Sequence, residues 1–142
     1  SIENLNDKLN EVNRENRRLE EIISNYEIKE MIENAQKINN ISVIVKTYEN
    51  KTMNYINKIA NKISERDDMV ALFALTNNDK LNLLFACSKN LEQLDMNNLL
   101  KDSIKLVDGK GGGSKVLAQG GGKNNGNLDS LFDYVKMKLK SN

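Results

Sequence analysis

The sequence predicts an α/β domain in which helices pack a small mixed β-sheet, preceded by a long N-terminal helix of coiled-coil type. Three observations predict this class. A seven-residue apolar repeat opens the chain, short β-branched segments then alternate with segments of helical spacing, and every glycine lies near the C-terminal end. Of the 142 residues, 39% are hydrophobic and 29% are charged, which fits a small core with a long solvated helix. We therefore divide the chain into a helical arm, residues 1–38, and an α/β domain, residues 39–142.

The arm carries apolar residues at alternating steps of three and four, which is the a/d seam of a coiled coil. The seam runs through Ile2, Leu5, Leu9, Val12, Asn16, Leu19, Ile23 and Tyr26. We predict that six of these residues form a dimerisation surface: Leu5, Leu9, Val12, Asn16, Leu19 and Ile23. A lone asparagine at an a position, here Asn16, typically fixes the register of the partner helix.

The charges beside the seam bear on how a partner helix would pair. Glu15 at a g position and Glu20 at an e position would face each other in a parallel, in-register dimer. Antiparallel pairing avoids this repulsion, and so does packing on another helix of the same protein. Because the chain opens at Ser1 within this helix, we expect it to be a piece of a longer protein, and the missing part remains an alternative partner for the arm.

The elements after the seam follow from periodicity and from turn residues. The arm is predicted to stay helical to about Ile38, where Asn39 and Asn40 break it. The elements that follow are predicted as a strand at residues 41–48, a helix at 53–63, hairpin strands at 69–76 and 80–87, a helix at 95–107, a short strand at 116–119 and a final helix at 128–139. Asp95 is predicted to cap the helix that Gly109 ends. The first two strands should be parallel and joined by a right-handed crossover.

The chain lacks the residues that several chemistries need. It has no histidine and a single cysteine, which excludes a Ser-His-Asp triad, a histidine-ligated metal and a zinc knuckle. We predict no catalytic, cofactor-binding or metal-binding residue. Cys87 lies inside an apolar run and is predicted to be a packed strand residue. No apolar run approaches the roughly 20 residues of a membrane span, and we expect a cytoplasmic protein.

The eight glycines all lie between Gly109 and Gly126, and the chain has no proline. Neither glycine run, at residues 109–113 or 120–122, has the spacing of a Walker loop or of the dinucleotide-binding fingerprint. Residues 101–142 carry eight lysines and four aspartates, so the glycine-rich end is also the basic end. The exposed N–H groups of such runs, beside Lys110, Lys115 and Lys123, can form an anion-binding nest. A flexible connector explains the runs equally well.

The glycine runs also carry a family resemblance. The sequence Gly-Lys-Gly-Gly-Gly-Ser at residues 109–114, followed by Ala-Gln-Gly-Gly-Gly at 118–122, resembles the DHH-associated domain. That domain forms the C-terminal part of alanyl-tRNA synthetases and of long free-standing alanyl-tRNA editing proteins. The resemblance extends to the hairpin at 70–89, the helix at 95–107 and the arm at 2–38. Lys115-Val116 and Gln119-Gly120 depart from the pattern of many synthetases, which slightly favours the editing branch.

The resemblance implies a module that grips the outer corner of tRNA, dimerises through its helical part and has no chemistry of its own. We therefore predict a tRNA-binding and dimerising domain, with alanine tRNA as the expected partner and a homodimer formed through the arm. The predicted nucleic-acid-binding residues are Lys110, Gly111, Gly112, Gly113, Ser114, Lys115, Gln119, Gly120, Gly121, Gly122 and Lys123. Two alternatives stay open: the substrate-binding domain of a DHH-type nucleotide phosphoesterase, and a purely structural dimerisation module.

Overall fold

A computed structural model describes residues 2–141, with side chains from residue 4 onward. Within this range the chain forms a long helix α1 (Ile2–Glu33) and a six-stranded mixed sheet with helices on both faces. In chain order the later elements are β1 (Gln36–Ile38), β2 (Ile41–Glu49), α2 (Met53–Ser64), β3 (Met69–Asn77), β4 (Lys80–Cys87), α3 (Met96–Ser103), a 3₁₀ helix (Ile104–Val107), β5 (Lys110–Gly113), β6 (Leu117–Lys123) and α4 (Leu128–Ser141). The strand order is β1-β2-β3-β4-β6-β5.

The middle of the chain folds as the sequence predicts. β2 and β3 pair in parallel with α2 as their crossover, and β3 and β4 form an antiparallel hairpin. The β-branched and apolar composition of these strands suits burial on both faces, and Phe73 and Phe85 are fully buried. Cys87 is buried at the end of β4, as predicted. Burial raises the pKa of its thiol to about 11, so the group stays protonated at neutral pH.

The prediction for the end of the arm is wrong. The helix ends at Glu33 and not near Ile38, and residues 36–38 form the edge strand β1, which pairs antiparallel with β2. Asn39 and Asn40 both adopt left-handed φ angles, of 51° and 66°, between the paired residues Ile38 and Ile41. Two positive φ angles in a two-residue connection are the signature of a hairpin turn, so the asparagines join two strands instead of ending a helix.

One face of the sheet carries the larger core. α3, the 3₁₀ helix and α4 pack there against alternate residues of the central strands. Leu83 and Phe85 of β4 and Ala118 of β6 point to this side. On the opposite face, α2 packs across β3 and β4 through one apolar stripe, which consists of Ile56, Ile59, Ala60 and Ile63. β6 lies beyond the strands that α2 contacts.

The helix before the glycines starts at the predicted cap and ends differently. The Asp95 side chain accepts a hydrogen bond from the backbone N–H of Asn98 at 3.1 Å, which satisfies one N–H of the first turn of α3. After Ser103 the helix tightens into the 3₁₀ segment. The residue that takes the left-handed conformation at its end is Asp108, with φ of 51°, and not Gly109.

The helix α1 is a compact unit of its own by its internal contacts, and residues from Asn34 onward form the other. The apolar seam residues with described side chains are exposed: Leu5, Leu9, Val12, Leu19, Ile23 and Tyr26 are 45% to 72% exposed. Asn16 is exposed as well, and the side chain of Ile2 lies outside the described residues. The helix is present as predicted, and its pairing with another helix stays a prediction. No helix within residues 2–141 combines the length and the apolar character that a bilayer span needs.

The Asp95 cap gives a stability test. Replacing Asp95 with Ala should lower the free energy of unfolding by about 1 kcal/mol, because the N–H of Asn98 loses its acceptor. Asp95→Asn keeps a side-chain oxygen at the cap and should restore most of this loss. Urea unfolding followed by far-UV circular dichroism measures both variants. Equal losses in the two would show that the carboxylate charge matters and the cap does not.

Candidate nucleic-acid interface

The glycine runs form strands and not loops, which corrects the sequence analysis. β5 (Lys110–Gly113) and β6 (Leu117–Lys123) are antiparallel, and β6 also pairs along its whole length with β4. Because β6 has a neighbour on each side, its backbone N–H groups serve the two ladders and are not open to a ligand. The predicted strand at 116–119 is therefore the start of a longer strand that includes the second glycine run.

Most of the glycines are explained by close packing. A Cβ atom on Gly120 would lie 2.6 Å from Cδ1 of Ile104, and one on Gly122 would lie 2.7 Å from Cγ2 of Val107. Both contacts are shorter than carbon atoms tolerate, so the 3₁₀ helix rests on β6 only because these two residues have no side chain. On β5, a Cβ on Gly111 would lie 2.4 Å from Cα of Gly120. The glycines thus allow three backbone segments to approach one another.

Few N–H groups of the runs remain for an anion-binding nest. The N–H of Gly113 donates to Oδ1 of Asn97 in α3, and the N–H of Ser114 donates to the carbonyl of Leu117. Successive N–H groups along a strand point to opposite sides, so the N–H groups of Gly111 and Gly113, which are two residues apart, both point away from β6. Both residues lie on the edge strand β5. A nest of successive free N–H groups, as the sequence suggested, is not formed within the ladder.

The three lysines beside the runs all belong to the β5–β6 hairpin at one edge of the sheet. Lys110 begins β5, Lys115 lies in the turn between β5 and β6, and Lys123 ends β6. All three side chains are exposed, and none makes an ion pair with any residue that the structure describes. The turn itself is firmly held, because the carbonyl of Lys115 accepts a hydrogen bond from the N–H of Met96 at 2.9 Å. Unpaired cations on an ordered backbone are what a polyanion binds.

The polar residues predicted with them are also at the surface. Ser114 and Gln119 are exposed, and Oγ of Ser114 accepts a hydrogen bond from the N–H of Leu117 at 3.2 Å. The fold adds two lysines that sequence reasoning missed. Lys101 of α3 has its Cε 3.2 Å from where a Cβ of Gly112 would stand, and Lys80 of β4 pairs with Lys123 in the register. No sequence signal shows either, because both arise from pairing between distant segments.

A separate cleft of about 680 Å³ lies between the end of α2, the end of β4 and the start of β6. Glu65 and Asp67 line it together with Lys89 and Cys87. Two carboxylates disfavour a phosphate there. No group of three potential metal ligands occurs among residues 2–141. The basic edge at β5 and β6 is therefore the better candidate for a nucleic-acid contact.

Comparisons with known proteins agree with this fold. The family described as the DHHA1 domain matches residues 40–141. An alanine–tRNA ligase of Methylacidiphilum infernorum is 36% identical over 103 residues, which are 72% of this chain and 11% of that protein. An alanine–tRNA ligase of Listeria innocua is 30% identical over 142 residues, which are 98% of this chain and 16% of that protein. The chain thus spans less than a fifth of the length of these relatives.

Two solved structures share the fold. The C-Ala domain of alanyl-tRNA synthetase from Aquifex aeolicus matches with a TM-score of 0.71 and 21% identity, over 75% of this chain and 98% of that one. RecJ from Thermus thermophilus, in complex with Mn²⁺, matches with a TM-score of 0.63 and 15% identity, over 93% of this chain and 18% of that one. At these identities the likeness is one of fold.

The packing role of the glycines predicts a contrast between two neighbouring residues. Gly120→Ala should lower the free energy of unfolding by roughly 1–3 kcal/mol, because its Cβ would press on Ile104 and on the carbonyl oxygen of Lys110. A Cβ on Gly121 first meets Oδ1 of Asn82 at 3.4 Å, so Gly121→Ala should change stability by no more than about 0.5 kcal/mol. Urea unfolding of both variants checks this. A similar cost at the two positions would mean that packing under the 3₁₀ helix is not the reason for the glycines.

Proposed function

This chain belongs to the DHHA1 domain family, and from that premise we propose that it is the tRNA-binding and dimerising C-terminal domain of an alanyl-tRNA synthetase or of a free-standing alanyl-tRNA editing protein. The domain acts without chemistry of its own and holds the tRNA for catalytic sites elsewhere in the parent protein. Alanine tRNA is the expected partner, in the cytoplasm. Recognition is by shape and backbone charge and not by base sequence.

The observation that carries the tRNA proposal is the set of unpaired lysines around β5 and β6. Lys110, Lys115 and Lys123 are exposed on strands and a turn whose backbone is fixed by ladder pairing and by the Met96 hydrogen bond. A rigid array loses little conformational entropy on binding, which favours a large folded partner over a flexible one. With only a few cations involved, affinity should be modest and should fall steeply with salt.

The relatives support the synthetase as the parent. Both relatives named above are alanine–tRNA ligases, and the Listeria innocua protein aligns over nearly the whole chain, the arm included. The slight preference of the sequence analysis for the editing branch finds no support in these comparisons. The domain would then assist a ligase that joins alanine to tRNA.

Dimerisation is supported by the exposed seam of α1. Leu9 is 58% exposed, Leu19 45% and Ile23 63%, on a helix whose remaining surface is polar. Apolar side chains at a and d positions gain stability when a second helix covers them. We therefore propose a homodimer through this seam.

The packing of the glycines favours a second candidate, a purely structural module. Gly120 and Gly122 are explained by contact with the 3₁₀ helix, without a ligand. Because the fold is similar to that of RecJ, a third candidate stays open, the substrate-binding domain of a nucleotide phosphoesterase. The first experiment below separates these candidates, because neither alternative predicts salt-sensitive binding of whole tRNA.

The first experiment measures tRNA binding by the whole chain. Wild-type protein should bind alanine tRNA at about 50 mM salt and lose affinity as salt rises, and should bind less tightly to an acceptor-stem minihelix that lacks the outer corner. Lys110→Glu with Lys115→Glu should weaken binding by at least about tenfold at unchanged melting temperature. Filter binding measures the affinities. The matched control, Lys58→Glu with Lys140→Glu on the exposed surfaces of α2 and α4, should cost much less.

Three outcomes would count against this function. Equal affinity for tRNA and minihelix would exclude the outer corner as the contact. An equal loss of affinity in the control variant Lys58→Glu with Lys140→Glu would mean that net charge alone determines tRNA binding. Absence of salt-sensitive binding to either RNA would favour the structural module.

The second experiment tests the seam. Leu9→Asn with Leu19→Asn should convert a dimer to a monomer in multi-angle light scattering, because each replacement removes an apolar a or d side chain. Arg14→Gln with Glu21→Gln, on the opposite side of the heptad, is the matched control and should leave the mass unchanged. A dimer that survives the seam variant, or a wild-type monomer at micromolar concentration, would refute dimerisation through the arm.

A further inference from the structure

The outer face of β4 and β6 brings residues of the second glycine run next to two polar residues of β4 that the glycine signature does not contain. This open face consists of Lys80 and Asn82 of β4 and of Gln119, Gly121 and Lys123 of β6. The residues that alternate with them point to the opposite side, where Leu81, Leu83 and Ala118 belong to the core. On the same side as the open face, α2 covers β4 only from Leu84 onward, where Leu84 and Ala86 are fully buried. Lys80, Gln119, Gly121 and Lys123 are exposed, and Asn82 is half-buried.

The register places two lysines directly opposite each other. Lys80 pairs with Lys123 in the β4–β6 ladder, so their Cβ atoms stand about 4.5–5.5 Å apart on one face. Neither makes an ion pair with another residue in the part of the chain that the structure describes, and the neighbouring Asp79 carboxylate bridges to neither. Like charges at a directly opposed pair destabilise a sheet. An anion held between the two ammonium groups would remove that repulsion.

Gly121 is the glycine of the two strands that packing explains least. A Cβ on it would meet Oδ1 of Asn82 at 3.4 Å and the carbonyl oxygen of Leu81 at 3.7 Å, which are ordinary contacts. Its φ angle is not in the left-handed region, so backbone conformation does not require glycine either. What the missing side chain leaves is a bare stretch of backbone beside Asn82 and next to the lysine pair. A ligand can approach that stretch closely.

The chemistry of the open face suits a sugar-phosphate backbone. It offers two ammonium groups and two side-chain amides, and it has no aromatic or large aliphatic side chain. Stable protein docking sites are centred on buried apolar or aromatic anchors, which this face lacks. It also lacks the aromatic platforms on which unpaired bases stack. A polyanion that is recognised through its phosphates and sugars needs neither apolar anchors nor aromatic platforms.

We infer that the open face binds the RNA backbone, with Lys80 and Lys123 holding one phosphate between them and with the RNA chain passing over Gly121 toward Lys110, which pairs with Gly121 in the β5–β6 register. This inference rests on the proposed tRNA-binding function. It extends the contact surface to β4, outside the glycine runs. Asn82 and Gln119 supply hydrogen-bond donors to the sugar-phosphate backbone on either side of the bare stretch.

The test uses the whole chain and alanine tRNA. Lys80→Gln should weaken binding roughly fivefold at low salt and should reduce the slope of log affinity against log salt by close to one. Lys123→Gln should weaken binding by a similar factor. The double variant should lose less affinity than the product of the two single losses, because both lysines hold one phosphate.

Without RNA, each single variant should melt at or above the wild-type temperature, because the repulsion between the two lysines is gone. Lys80→Arg, which keeps the charge, should retain binding.

The matched control is Lys140→Gln, on α4, which packs against the other face of the sheet. If Lys80→Gln and Lys140→Gln both bind as tightly as wild type while the Lys110 and Lys115 double variant is weakened, the open face is not the contact and the tRNA-binding function stands. If Lys80→Gln and Lys140→Gln lose affinity equally, net charge explains the loss and the inference is wrong. If wild-type protein shows no salt-sensitive binding, the inference and the proposed function fall together.

Discussion

The structure depends on the close approach of β5, β6 and the 3₁₀ helix. β6 pairs with β4 on one side and with β5 on the other, and the 3₁₀ helix packs on it at Gly120 and Gly122. No residue with a Cβ fits at these two positions, since the distances to Ile104 and Val107 would fall below 3 Å. The glycine-rich signature is therefore first a packing constraint, and it brings the basic end of the chain onto a rigid sheet.

This constraint organises the two faces of the sheet differently. Placing α3, the 3₁₀ helix and α4 on one face concentrates the core there, with Ala118 at the base of β6 fully buried. On the other face α2 packs on β3 and β4, and Gln119, Gly121 and Lys123 of β6 stay exposed. A sheet that is covered on one side only at this end leaves its polar residues in water. Lys80 and Lys123 lie there, and neither forms an ion pair with a carboxylate among the described residues. The exposed lysines thus lie where no helix covers the sheet.

The two parts of the chain meet different physical demands. The arm exposes a stripe of apolar side chains on a helix whose other residues are mostly polar or charged, which favours association with another helix. The α/β domain buries most of its apolar residues and exposes cations, which favours a polyanion. Membership of the DHHA1 family concerns the α/β domain, since the family match covers residues 40–141. The proposed function would use both parts, the domain to hold tRNA and the arm to hold a second subunit.

The sequence by itself determined the elements whose signals are local. The a/d spacing of the arm, the β-branched strand β2, the helix α2, the hairpin of β3 and β4 and the Asp95 cap all follow from residues close to one another in the chain. The tertiary structure alone decided that Gln36–Ile38 is an edge strand, that the glycine runs are strands and that Lys80 faces Lys123. The family resemblance is confirmed, and the nucleic-acid role of the residues at the glycine-rich end stays a prediction. The physical reason is that strand pairing is non-local. Glycine has no side chain whose hydrophobicity would indicate a buried strand. The glycine-rich strand β6 forms only when β4, about 40 residues earlier in the chain, pairs with it.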